Sequence, residues 1–263
     1  MVRRKRPSIS SKASHAPKTG GNQNQFWLYG LHAVAAALCN PARRKWRLVA
    51  TENGANQLGR EIAESKLTPE IAKADAIARL LPENAVHQGV ALAVSPLPDI
   101  DLQTLVSRKQ DKERQIVCIL DQVTDPHNVG AILRSCAAFG AVALIVTGRN
   151  AAGESAVLAK TASGALEHVP MVKVTNLART LDQLAELGFW RVGLDSAASQ
   201  PITSAALEGN IALVLGAEGS GIRALTQKKC DYLLRLPTEP GFPSLNVSNA
   251  AAIALYAAAT QNR

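Results

Sequence analysis

Aromatic residues are scarce, at 4 % of 263 residues, so a folded core has to be built from aliphatic side chains and alanine. Cysteine is scarce too. Cys39, Cys118, Cys136 and Cys230 lie far apart and form no Cys-x-x-Cys pair, which gives a disulfide framework and a metal site poor support. No metal is expected. Nor does any run reach the ~18 uninterrupted apolar residues of a membrane span: the stretch 132–147 is broken by Arg134, and 250–259 is too short. The first residues lack the apolar stretch of a secretion signal, so a cytoplasmic protein with free thiols is predicted.

What is present is a globular composition, 47 % hydrophobic and 19 % charged, with a formal charge of +8. That charge is unevenly placed. Residues 1–25 hold Arg3, Arg4, Lys5, Arg6, Lys12 and Lys18 with no acidic residue, which leaves only +2 for the rest. Such a polar, basic tail is expected to be disordered and to add nonspecific affinity for phosphate backbones. An organelle transit peptide shares the Arg/Ser bias, but the amphipathic apolar face it needs is missing.

Beyond the tail, Tyr29-Gly30-Leu31-His32 leads into a helix over 31–39 that is closed by Asn40-Pro41. A strand at 46–50, helical periodicity at 55–65 and 69–80, and an apolar strand at 90–94 make a small α/β unit over 26–95. Pro96, Pro98 and the polar run 107–114 read as a linker over 96–113. From 114 to 263, strand-like runs at 116–120, 142–147, 169–174, 189–194, 211–215 and 232–236 alternate with helical segments. That alternation predicts a mostly parallel sheet covered on both faces.

Ligand sites in such sheets lie at strand ends. The usual GxGxxG after the first strand is missing from 116–134, which lowers dehydrogenases and the common Rossmann methyltransferases. Glycine-rich loops come late instead, at 216–221 and 240–246, each after a predicted strand and before a helix. Glycine there lets backbone approach a ligand closely, although either loop alone could be an ordinary turn. A third loop, 121–128, enters a helix with Asp125 as N-cap and Pro126 at the first position, which puts Asn128 in the first turn. Arg134 follows, with Gly130, Ala131, Ala137 and Ala138 as its helical neighbours. An arginine on so small-sided a face suggests close approach by another chain or by RNA. In the first unit, Arg43, Arg44, Lys45, Trp46 and Arg47 suit phosphate contacts and base stacking, or else form a solvated turn before a strand.

Taken together, 128–134 (NVGAILR), 215–219 (LGAEG) and 244–248 (SLNVS) resemble, in order and spacing, the three motifs of the SpoU (TrmH-like) branch of the SPOUT RNA 2′-O-ribose methyltransferases. Within that branch the chain is similar to the bacterial enzymes that methylate the ribose of a guanosine in 23S rRNA. The likeness runs from about Phe26 to the C-terminus, and Tyr29–His32 and 86–90 (VHQGV) are similar to the family's small substrate-binding domain. The resemblance implies a ribosomal-protein-like RNA-binding domain followed by a parallel-sheet domain with a trefoil knot. It also implies a homodimer and S-adenosylmethionine held near Gly216, Leu236, Leu245 and Ser248. Asn128, Arg134, Glu218, Ser244 and Asn246 become the catalytic set. Arg43, Arg44, Lys45 and Arg47 are expected on RNA from their own clustering. The sequence departs from the family at Asn249, where an apolar residue is usual, and at 238–241 (TEPG).

Guanidinium almost never deprotonates in proteins, so Arg134 is read as a clamp on a phosphate beside the reacting ribose rather than as the base. The proton acceptor is then the phosphate, water or His127. Glu218 is expected to fix the Arg134 helix or its own loop. Ser244 and Asn246 have no His–Asp partner nearby, which disfavours a hydrolase. A tRNA 2′-O-methyltransferase, a ribosome-directed resistance methyltransferase and a noncatalytic ribosome-assembly factor are the competing readings.

Overall fold

The computed structural model describes residues 25–107, 114–147, 153–205, 207–239, 241 and 245–261. The predicted basic tail, most of the polar linker run and Ser244 lie outside these residues.

The first subdomain is a four-stranded sheet flanked by helices. In chain order it comprises β1 (Phe26–Tyr29), α1 (Leu31–Cys39), β2 (Lys45–Ala50), α2 (Glu52–Gln57), α3 (Gly59–Ser65), β3 (Glu70–Ile71), α4 (Ala74–Ala78) and β4 (Val90–Val94). The sheet order is β1-β4-β2-β3. Two sequence expectations change here. The helix expected over 55–65 is two helices that meet at Leu58-Gly59, where Leu58 leaves the helical region at φ −105°, ψ 18°. The first starts early, at Glu52, because the Thr51 side chain accepts the Gly54 N–H and Gly54 packs against the Gly89 carbonyl, where a Cβ would sit at 2.5 Å. The helix expected over 69–80 is only α4, since 70–71 pair in parallel with β2. Tertiary pairing overrides local periodicity at that edge.

The second subdomain follows α5 (Leu102–Ser107), a helix within the expected linker. Its elements are β5 (Ile116–Asp121), α6 (Pro126–Ala138), β6 (Ala143–Thr147), α7 (Ala156–Ala162), β7 (Met171–Val174), α8 (Leu177–Glu186), β8 (Phe189–Leu194), β9 (Gln200–Pro201), β10 (Asn210–Gly216), α9 (Ala224–Gln227), β11 (Tyr232–Arg235) and α10 (Val247–Thr260). All described pairings in the sheet β7-β6-β5-β10-β8-β11-β9 are parallel. Alternate residues of β5, β6 and β10 feed opposite cores: Cys118, Leu120 and Leu213 face α6 and α10, while Val117, Ile119 and Val214 face α8. Burial on both faces is why these strands read as unbroken apolar runs.

The α6 start is as the sequence predicts. Asp125 accepts from the His127 N–H at 3.0 Å, and Pro126 opens the helix. Gly130 has a different use from the one expected. A Cβ there would meet the Leu158 carbonyl at 2.7 Å, so the small side of α6 admits α7 of the same chain.

A single core runs from Leu28, Leu48 and Leu92 through Leu158 and Leu166 into the large sheet. Polar bonds reinforce this junction. Lys160 Nζ on α7 donates to Gln88 Oε1 at 2.8 Å, and the same oxygen accepts the Leu31 N–H that opens α1. Gly30, at φ 85°, makes room for that lysine: a Cβ would lie 2.3 Å from Nζ. Arg43 corrects an expectation. Its side chain is fully buried, with Glu154 at 2.6 Å and Glu167 at 2.7 Å, and it donates to the Ser95 carbonyl at 2.8 Å. Burial opposes its charge, but the two carboxylates more than reverse this and raise its pKa. Its donors are committed to the junction, so it is not on an RNA-facing surface.

Candidate functional site

The carboxyl ends of β10, β8 and β11 surround a cavity of about 370 Å³. Its walls include Leu194, Asp195, Leu215, Gly216, Glu218, Leu236 and Leu245. Three of the four residues expected at the cofactor, Gly216, Leu236 and Leu245, are therefore brought together here. The loop after β10 turns back on itself: Gly221 N–H donates to the Ala217 carbonyl at 2.9 Å. That is the use of Gly216, whose Cβ would lie 2.0 Å from the Gly221 backbone. Its bareness serves the loop's own return.

Beside the cavity, Asn246 joins three elements. Its Nδ2 donates to Glu218 Oε1 at 2.6 Å and to Asn128 Oδ1 at 3.0 Å. Its Oδ1 accepts from the backbone N–H of Ser248 at 2.9 Å and from the Ser248 hydroxyl. Both amide protons and both carbonyl lone pairs are thus used. Asn246 is also the N-cap of α10, which fixes it in place. Glu218 Oε1 accepts the Val247 N–H at 3.2 Å as well. The carboxylate therefore fixes its loop to the start of α10, with no bond to Arg134. Ser248, expected at the cofactor, is not among the cavity walls and belongs to this cluster.

Asn128 uses its oxygen on Asn246, which leaves its amide protons without an acceptor among the described residues. Arg134 lies six residues along the same helix, about 9 Å at 1.5 Å per residue. It is exposed and makes no hydrogen bond or ion pair with a described residue. His127 is exposed in the first turn of α6.

The cations expected on RNA separate. Lys45 Nζ donates to the carbonyls of Leu38 and Asn40, both at 2.9 Å, at the end of α1, and its burial lowers its pKa. Arg44 is exposed, its guanidinium 3.9 Å over the ring of Trp46, whose Nε1 donates to the Ser95 hydroxyl. Arg47 is exposed and pairs with Glu70. Arg44, Trp46 and Arg47 are thus the accessible part of this segment.

Known proteins match along nearly the whole length. Residues 115–256 match the model of the SpoU rRNA Methylase family, and residues 27–99 match RNA 2′-O ribose methyltransferase substrate binding. The chain belongs to the SpoU rRNA methylase family. Among the relatives of this SpoU chain is the 23S rRNA (guanosine-2′-O-)-methyltransferase RlmB of Vibrio cholerae, 39 % identical over 89 % of this chain and 96 % of that one. A Synechocystis protein named as an uncharacterized tRNA/rRNA methyltransferase is 39 % identical over 87 % of this chain, which spans only 61 % of its length. Among solved structures, the SpoU methyltransferase AviRb from Streptomyces viridochromogenes, in complex with the cofactor AdoMet, superposes with a TM-score of 0.75. It is 25 % identical, and the match covers 92 % of this chain and 94 % of that one.

Sequence reasoning missed several residues of the cavity. Asp195, Gln227 and Thr238 also line the cavity. Asp195 directly follows a predicted strand, so the strand-end rule could have flagged it.

Proposed function

We propose that this SpoU methylase transfers a methyl group from S-adenosylmethionine to a ribose 2′-hydroxyl of RNA, with a guanosine of 23S rRNA as the substrate. The observation that carries this reading is the hydrogen-bonded join of Glu218, on the cavity wall, through Asn246 to Asn128 on the helix that presents Arg134. It sets a cofactor-sized cavity against a face with unused donors.

The cavity fits the cofactor in size and chemistry. Its volume lies within the range of small-molecule sites, and its apolar residues and loop backbone can enclose a purine. Gly216, Leu236 and Leu245 would hold the cofactor, which when bound supplies a methyl group already activated on a sulfonium. The remaining work falls to the chain. Arg134 grips the phosphate beside the target ribose and stabilises the oxygen as it loses its proton. The Asn128 amide protons orient that oxygen, and Asn246, saturated within the protein, holds Asn128 and Glu218 in place. Ser244 completes the set by its motif position. The proton passes to the phosphate, to water or to His127.

Arg44, Trp46 and Arg47 are the RNA contacts we infer on the first subdomain. The trefoil knot belongs to the same reading, supported by the late return of β10 between β5 and β8 before the chain goes on to α10. A homodimer is supported by Ile253 and Tyr256, exposed on the otherwise alanine-rich α10. A cytoplasmic location follows from an rRNA substrate, and no helix among the described residues is long and apolar enough to cross a membrane.

The test is transfer of labelled methyl from S-adenosylmethionine to deproteinised 23S rRNA, 16S rRNA and tRNA, with nuclease mapping of the product. A 2′-O-methylated guanosine in 23S rRNA is expected. Label confined to tRNA would overturn the substrate and keep the chemistry.

A further inference from the structure

Asp195 lies at the end of β8, on the cavity wall. Each of its oxygens accepts one hydrogen bond from the protein: Oδ1 from the Ala197 N–H at 2.9 Å and Oδ2 from Gln227 Nε2 at 3.2 Å. Both donors are neutral, and Asp195 has no ion pair among the described residues. Two bonds orient the carboxylate and leave acceptor capacity toward the cavity. The other carboxylate on the wall, Glu218, is likewise held by neutral donors, Asn246 and the Val247 N–H. Among the described wall residues there is no lysine, arginine or histidine. A cleft lined by charge of one sign, with apolar walls such as Leu194, Leu215 and Ile222, concentrates its field on whatever enters.

The two forms of the proposed cofactor differ in charge. S-adenosylmethionine carries a sulfonium, an ammonium and a carboxylate, for a net single positive charge. S-adenosylhomocysteine, left after methyl transfer, has a neutral thioether and no net charge. We infer that Asp195 is a positioning residue that tilts the cavity toward the methylated, cationic form and so favours exchange of spent cofactor for fresh. The inference rests on the reading of this cavity as the S-adenosylmethionine site. A contact from Asp195 to a ribose hydroxyl is the alternative, and because both forms carry that ribose it would favour neither.

The test is calorimetric titration of the full chain and of Asp195→Asn with each compound separately, at low and at high salt. Asparagine can keep both neutral bonds, since the Gln227 amide can turn to offer its oxygen, and a circular dichroism melt checks that the variant folds. The expected result is an affinity for S-adenosylmethionine lowered on the order of fivefold in Asp195→Asn, with that for S-adenosylhomocysteine nearly unchanged. In the unaltered chain, salt should weaken the first compound more than the second, and the variant should lose part of that difference. Equal losses for the two compounds, or no loss, would overturn the inference and leave the cavity reading standing. Binding of neither compound to the unaltered chain would overturn both.

Discussion

The junction between the two sheets and the face at the ends of β5 and β10 handle charge in opposite ways. At the junction, Arg43 is wholly enclosed and meets two carboxylates and a carbonyl. Along the helix that leaves that face, Arg134 is exposed without a partner among the described residues, and at the strand ends Asp195 and Glu218 face the cavity with no cation among its described walls. Arginine count and local charge do not separate the two regions; the state of the hydrogen-bonding capacity does. Where the donors are taken up inside the protein, the group holds the protein together. Where donors are spare, the group is available to a ligand.

Arg43→Ala attacks the saturated side and should have the largest effect. It strands Glu154 and Glu167, so denaturant unfolding should show a loss of about 3–5 kcal/mol. A loss under 1 kcal/mol would mean that the junction pair is no more than a surface bridge, and the contrast would collapse. Arg134→Ala attacks the spare side. Methyl transfer should fall by about 10²–10³-fold, as when a donor to developing negative charge is removed, with an unchanged melting temperature. Arg134→Lys should fall as well, because lysine cannot grip a phosphate with two parallel donors. Near-normal activity of the lysine form with RNA binding intact would break the clamp model. The smallest effect is expected at the start of β2 in the first sheet. Trp46→Ala should weaken RNA binding by about 1–3 kcal/mol and leave methyl-donor affinity untouched, measured by filter binding beside calorimetry. Unchanged RNA binding would remove this surface from the reading.

Local chemistry made much of this readable in the sequence. The Asp125-Pro126 start of α6 and the α1 helix over 31–39 follow from capping and turn residues that act over a few positions. The parallel character of the second sheet was legible from its apolar runs, although its strand order was not, because pairing joins segments far apart. Arg43 shows the limit. Its partners lie 111 and 124 residues away, so within Arg43–Arg47 it looks like any other cation. Lys45 is misleading for a nearer reason, since the carbonyls it caps become free only where α1 stops. At the site, the motifs identify Asn128, Glu218 and Asn246, and the structure adds how they are linked. Asp195 belongs to no motif: its place after a predicted strand marks it as a candidate, and the position of β8 between β10 and β11 puts it on the cavity wall.

The closed junction also sets a scale for the substrate. With the first sheet bonded to the second through Arg43, Lys160 and a continuous apolar core, the offset between Trp46 and Arg134 is built into the protein. An RNA that rests on both must bridge that offset with its own fold. If the RNA contacts proposed above hold, the molecule works as a caliper with its jaws locked: it would accept a ribose that sits at the right separation from a distant feature of the same RNA, and pass over identical nucleotides in the wrong shape.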